Sequence, residues 1–111
     1  MTGAAFRRLA LSMPLAREAP HFQRLSFRIG KKIFATMTPD GHEAMVVLYP
    51  IDRCFALLKA YPNLFFELGR WTSRMGALGI RLANGQVKQL RGLVEDAYQY
   101  KAGPSLRRRR S

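Results

Sequence analysis

Among the residues able to do chemistry, two groups of cations stand out by spacing. Arg24, Arg28, Lys31 and Lys32 are interleaved with apolar residues in HFQRLSFRIGKKIFATM, from His21 to Met37. Arg70 and Arg74 lie in GRWTSRMGALG, among Gly69, Gly76 and Gly79, and Arg81 follows closely. Four more arginines, Arg107, Arg108, Arg109 and Arg110, form a run at the C-terminal end. The chemistry these side chains offer is phosphate recognition. The planar guanidinium fork matches a phosphate bidentately, and lysine supplies a point charge. Binding carried by such contacts is weakly sequence-specific and strongly salt-dependent. Gly30, Gly69 and Gly76 would let the backbone approach a ligand closely. Trp71 could stack on a base or plug the core; the plug is favoured because aromatic burial is a large term. Any one of these cations alone reads as a solubilising surface residue, so the inference rests on the cluster.

Other chemistry finds little support. His21 lies between Pro20 and Phe22 and reads as a loop or core-edge histidine. Cys54, the single cysteine, falls on a half-buried helix, where cysteines are usually inert. Glu95 and Asp96 are adjacent on a helix and so point to different sides. His21 and His42 lack partners at metal-ligand spacing, and no phosphate-binding glycine loop or zinc-protease motif is present. The expectation is a protein with no enzyme activity, no cofactor and no metal.

The charge balance agrees with a polyanionic partner. The 111 residues carry 19 Lys and Arg against 7 Asp and Glu, a net charge of +12. Removing the four tail arginines leaves 15 against 7, so the excess belongs to the folded body as well. Such a charge accelerates encounter with polyanions, nucleic acid first and an anionic membrane surface second. Hydrophobic residues make up 48%, a globular figure, and no apolar run is long enough to cross a membrane. LALSMPLA after Arg7-Arg8 faintly echoes a secretory signal, but it is short, broken by Pro14 and followed by Arg17 and Glu18. One cysteine excludes an intrachain disulfide and fits a reducing, cytoplasmic setting. With no amphipathic anchor or lipidation site, membrane binding is not expected.

The elements that must position these cations follow from periodicity. Phe6, Leu9, Ala10 and Met13 form one helical stripe, with Thr2 as N-cap and Pro14 as the stop. Leu15 to Arg24 reads as a loop. Leu25, Phe27 and Ile29 alternate with polar residues, and Gly30-Lys31 suits a two-residue turn. Tight pairing would set Ile29 opposite Lys32, Phe27 opposite Phe34 and Leu25 opposite Thr36. Leu25, Phe27, Ile29 and Phe34 then face the core, and Arg24, Ser26 and Arg28 share the other face with Ile33 and Ala35. Thr38-Pro39-Asp40-Gly41 is a turn before a strand from Glu43 to Tyr49. Pro50 and Asp52 open a helix to about Tyr61, with Phe55, Leu58 and Leu57 inward. Leu64 to Leu68 is a short strand, GRWTSRMGALG is irregular, and Ala77 to Leu82 is a last strand. Asn84 could cap a final helix running to about Lys101, on which Val87, Leu90, Val94, Ala97 and Lys101 keep helical spacing. The expected fold is a single α+β domain over residues 1–103, ordered α-βββ-α-ββ-α. Its antiparallel five-stranded sheet would carry helices packed on one face. Residues 104–111 read as a disordered basic tail.

Several stretches resemble the MmcQ/YjbR-like family. They are Pro20-His21-Phe22, the block SFRIGKKIFAT (Ser26 to Thr36), the Pro-Asp helix with Leu57 and Leu58, Pro62 with Phe65, and the region of Gly69 and Trp71. The resemblance covers roughly residues 6–98. It implies an α+β fold related to the CyaY-like and secretion-chaperone-like arrangement, and a double-wing DNA-binding role. This chain departs from the family pattern in the last region: the gap from Trp71 to Gly76 is one residue longer, and Leu78 stands where threonine is usual. Iron binding of the frataxin-like kind needs acidic ridges, which 7 scattered acids do not supply.

The expectation is therefore a DNA-binding protein that uses the phosphate backbone. Its site would comprise the hairpin cations Arg24, Arg28, Lys31 and Lys32, then Arg70, Arg74 and Arg81, and the auxiliary tail Arg107 to Arg110. The alternative is a protein-interaction module with an acidic partner. Salt dependence separates the two. An enzyme acting on a small acidic metabolite would need a concave pocket with convergent polar groups.

Overall fold

A computed structural model describes the backbone of residues 1–110 and the side chains as far as Gly103. Helix α1 (Gly3–Leu11) begins where the Thr2 hydroxyl accepts a hydrogen bond from the Ala5 amide at 3.1 Å. Its apolar stripe buries Phe6 and Ala10 completely. Six strands follow: β1 (Arg17–His21), β2 (Arg24–Ile29), β3 (Lys32–Met37), β4 (Glu43–Val47), β5 (Phe65–Glu67) and β6 (Ala77–Arg81). They form one antiparallel sheet in the order β1-β2-β3-β4-β6-β5. Three more helices complete the chain: α2 (Asp52–Ala60), α3 (Arg70–Met75) and α4 (Val87–Arg110). The backbone of α4 is interrupted at Gly103 (φ 81, ψ 172). The basic tail expected over 104–111 lies outside the residues with described side chains.

The α+β class and the antiparallel sheet are as the sequence indicates, but the sheet has six strands rather than five. The added strand is β1, placed where a loop was expected. Its residues, Arg-Glu-Ala-Pro-His, have almost no apolar alternation. It sits at the sheet edge, where Pro20 is tolerated because one side of the strand needs no partner.

The β2–β3 hairpin turns at Gly30 (φ 62) and pairs Ile29 with Lys32 as expected. Beyond that point a bulge between Phe27 and Arg28 shifts the register. Phe27 faces Ala35, and Leu25 faces Met37. The expected Phe27–Phe34 and Leu25–Thr36 pairs are thereby replaced. The extra residue lets Phe34 and Ala35, neighbours in sequence, both enter the core, so Ala35 is not on the outer face.

Helices α1 and α4 cover one face of the sheet. There Phe6, Phe27, Phe34, Val46, Leu78, Ile80, Leu90, Val94, Ala97 and Tyr98 form one buried cluster. Tyr98 donates to the Pro14 carbonyl at 2.7 Å, tying α4 to the end of α1. On α2 the inward residue is Cys54, fully buried, with Leu57 and Leu58 at the core margin; Phe55 points outward. Asn84 does not cap α4. A single 3-10 turn, Leu82–Asn84, intervenes, and the Asn84 side chain donates to the Asn63 carbonyl at 2.6 Å.

The stretch expected to be irregular holds α3. Gly69 and Gly76 bound it instead of breaking it, and Gly76 closes it in the left-handed conformation (φ 75). A Cβ at Gly76 would collide with the Leu48 carbonyl oxygen. Six residues are too few to show a helical period, which is why composition concealed this helix.

Candidate functional site

The ladder pairings decide which side chains share the face that α1 and α4 leave open. They are Arg17, Ala19 and His21 on β1, Arg24, Ser26 and Arg28 on β2, Ile33 and Thr36 on β3, Glu43, Met45 and Val47 on β4, and Ala77, Gly79 and Arg81 on β6. In the middle of this face Met45, Val47 and Ala77 form a second apolar cluster with Leu68. Helix α3 rises beside it and contributes Trp71 and Met75 to the lining of the space between them. The result is a groove of about 1020 Å³. Its floor holds Ile33, Thr36, Met45, Val47 and Ala77; its walls hold Phe22, Leu68, Trp71 and Met75; its cations are Arg24, Lys31 and Lys101. None of the residues lining it is acidic. A second cleft of about 680 Å³, between Tyr61 and Gln89, has one cation, Lys88, and no aromatic except Tyr61.

Two aromatics stand out of the groove into solvent. Trp71 is 52% exposed, so it does not plug the core as expected. Thr72, fully buried, fixes its helix instead. The Thr72 hydroxyl accepts from the Leu68 amide at 2.8 Å and donates to the Ala77 carbonyl at 2.5 Å, which clamps α3 onto β6. Phe22 is 90% exposed at the two-residue turn between β1 and β2. It holds a positive φ of 57°, uncommon for a bulky residue, and the His21 ring packs edge-on against it at 4.7 Å.

The two arginines of β2 are held by their Nε atoms. Arg24 Nε donates to the Thr36 hydroxyl at 3.0 Å. Arg28 Nε donates to the Ser26 hydroxyl at 2.9 Å, and that hydroxyl donates to the Ala19 carbonyl at 2.7 Å. Arg28 Nη2 also donates, to the Pro20 carbonyl at 3.4 Å. Arg24 Nη2 is buried with no hydrogen-bond partner, a costly state. On α4, burial first and then the Lys32 charge lower the pKa of Lys101 below the ordinary lysine range. An anion placed beside these two ammonium groups would relieve their repulsion.

The expected site residues separate into groups. Arg24 and Lys31 line the groove, and Arg28 shares its face. Lys32 pairs with the core-facing Ile29 and sits at the sheet end near Lys101. Arg70 and Arg74 are exposed on α3, a helix rather than a second β wing. Arg81 lies on the open face but is engaged: its Nη1 donates to the Phe65 carbonyl at 3.2 Å, its guanidinium lies 4.9 Å from the centre of the Phe66 ring, and Glu43 is its cross-strand neighbour. The side chains of Arg107 to Arg110 lie outside those described. Sequence reasoning missed Lys101, Phe22 and Arg17 as members of this face. A helical stripe placed Lys101 inward, and nothing in the local pattern marks Phe22 as exposed.

Comparison with known proteins places this arrangement. A family model described as YjbR matches residues 11–100. The crystal structure of the Deinococcus radiodurans protein DR2400, which carries the domain DUF419, is similar with a TM-score of 0.71 at 18% identity. The match covers 87% of this chain and 75% of that one, and at this identity it concerns the fold alone. No curated protein matches the chain.

Proposed function

The chain belongs to the YjbR family, and on that premise we propose that it binds DNA, chiefly through phosphate contacts on the open face of its sheet. The observation that carries this reading is the segregation of charge. Arg24, Lys31 and Lys101 line the groove with no carboxylate among its lining residues. The ion pairs of the described residues, Arg7–Glu18 at 2.6 Å and Arg53–Asp96 at 2.8 Å, involve the helices instead. Arg28 beside the groove, and Arg70 and Arg74 on α3, extend the basic surface on either side.

About three phosphate contacts imply a slope of about −2.7 in log affinity against log salt, or roughly 40-fold weaker binding between about 50 and 200 mM salt. Anisotropy titrations of a labelled duplex over that range test this. Three proteins are compared: the full chain, a chain ending at Gly103, and the quadruple variant Arg24→Gln, Arg28→Gln, Lys31→Gln, Lys32→Gln. The quadruple variant is expected to lose most of the affinity and flatten the slope. If truncation abolishes binding while the quadruple variant binds as the full chain does, the open face is not the DNA surface.

A second reading has its own observation. The apolar floor of Met45, Val47, Ala77 and Leu68 suits a protein segment with an acidic rim. Such a partner would stay bound across the salt range that releases DNA. A cytoplasmic setting accords with either reading. The free Cys54 suits it. Catalysis forms no part of the proposal.

A further inference from the structure

The groove has features that contact with a double-helical phosphate backbone leaves unused. Its floor is apolar, and two aromatic side chains project from its walls. In a duplex the base faces are stacked on one another. Only phosphates and groove edges are available to a protein, so a duplex could engage the rim cations while the floor stayed wet. Unpaired bases offer flat apolar faces to aromatics, acceptor atoms on their edges, and a flexible backbone that follows a basic rim. From this match we infer that the groove holds unpaired bases of single-stranded DNA, stacked on Trp71 and Phe22. The inference rests on the DNA-binding reading above and names the form of DNA that the same face takes.

The positions of the groups agree with these roles. Arg24, a groove cation, is held through its Nε by the Thr36 hydroxyl. Lys31 and Lys101 line the same groove, where their ammonium groups would meet the phosphates of a bound strand. Phe22 keeps an unfavourable backbone conformation that holds its ring outside the fold. Trp71 rides on a helix clamped by a buried threonine, so its ring is presented on a fixed support.

Trp71 is the sole tryptophan, so its emission reports on this site without labelling. The full chain is titrated with a short single strand and with the same sequence as a blunt duplex. Anisotropy of a dye on the DNA and Trp71 emission are followed together. The inference expects the single strand to bind at least about tenfold more tightly, because each base stacked on an aromatic contributes at that level. It also expects Trp71 quenching that tracks the single-strand isotherm and is absent with duplex. Trp71→Ala and Phe22→Gly should each weaken single-strand binding about tenfold and leave duplex binding unchanged. Circular dichroism verifies that each variant is folded. Equal affinity for the two forms, or equal quenching by both, overturns the inference while leaving the DNA-binding reading in place. Salt-independent or absent binding of both forms overturns that reading and this inference with it.

Discussion

Phe22, Gly76 and Cys54 each show a local choice with a measurable consequence. A non-glycine residue in the left-handed region costs about 1–2 kcal/mol, and glycine elsewhere costs about 0.5–1 kcal/mol in chain entropy. Phe22→Gly is therefore expected to leave thermal stability unchanged or raise it by up to about 1 kcal/mol, since the exposed ring buries little. A drop in melting temperature would show that Phe22 has a packing role. Gly76 is the opposite case. Its φ of 75° and the close Leu48 carbonyl leave no room for a side chain. Gly76→Ala should lose more than about 2 kcal/mol in urea unfolding, from backbone strain and collision together. At Cys54, burial pushes the thiol pKa up. At pH values between the ordinary thiol pKa and this raised one, the unfolded chain releases the proton and the folded chain keeps it. Stability then falls as pH rises through that window. The urea midpoint should drop as pH rises above the ordinary thiol pKa of about 8.5, and drop less in Cys54→Ala, which removes the titrating group.

At the scale of elements, α3 depends on its attachments. A helix of six residues is not stable alone, so the Thr72 clamp and the two glycine ends must hold it. Thr72→Val keeps the shape but orphans the Leu68 amide and the Ala77 carbonyl. The expected loss is about 1–3 kcal/mol. Trp71 emission should shift as its support loosens, and an unchanged spectrum and midpoint would refute the clamp. The same element marks a limit of sequence reading. Trp71 and Gly76 were visible, yet the three glycines of the stretch suggested irregular chain, because glycine as a cap and glycine as a breaker look alike in composition. Edge strand β1 escaped notice for a related reason: an edge needs half the pairing and none of the alternation that identifies an inner strand. Where a side chain pattern had to satisfy a core, as in α1, β2 and α4, it was readable. Where a bulge absorbed one residue, the turn of the hairpin was legible and the pairing beyond it was not.

For the molecule as a whole, the distribution of charge matters more than its total. A net charge of +12 attracts polyanions in any arrangement. What makes a surface of it is that both α1 and α4 lie on one side of the sheet, so the other side keeps its arginines and its apolar strip in the open. The amino-acid sequence by itself determined the α+β class, the basic balance, the helix stripes, the hairpin and the pair Arg24 and Arg28 on a common face. Each of these follows from local spacing, which sets the side of an element that seeks the core. Only the tertiary structure decided that Lys101 from the last helix, Trp71 from a short clamped helix and Phe22 from an edge turn meet around one groove. Strand order and helix placement join residues far apart in the chain, and no local period carries that information.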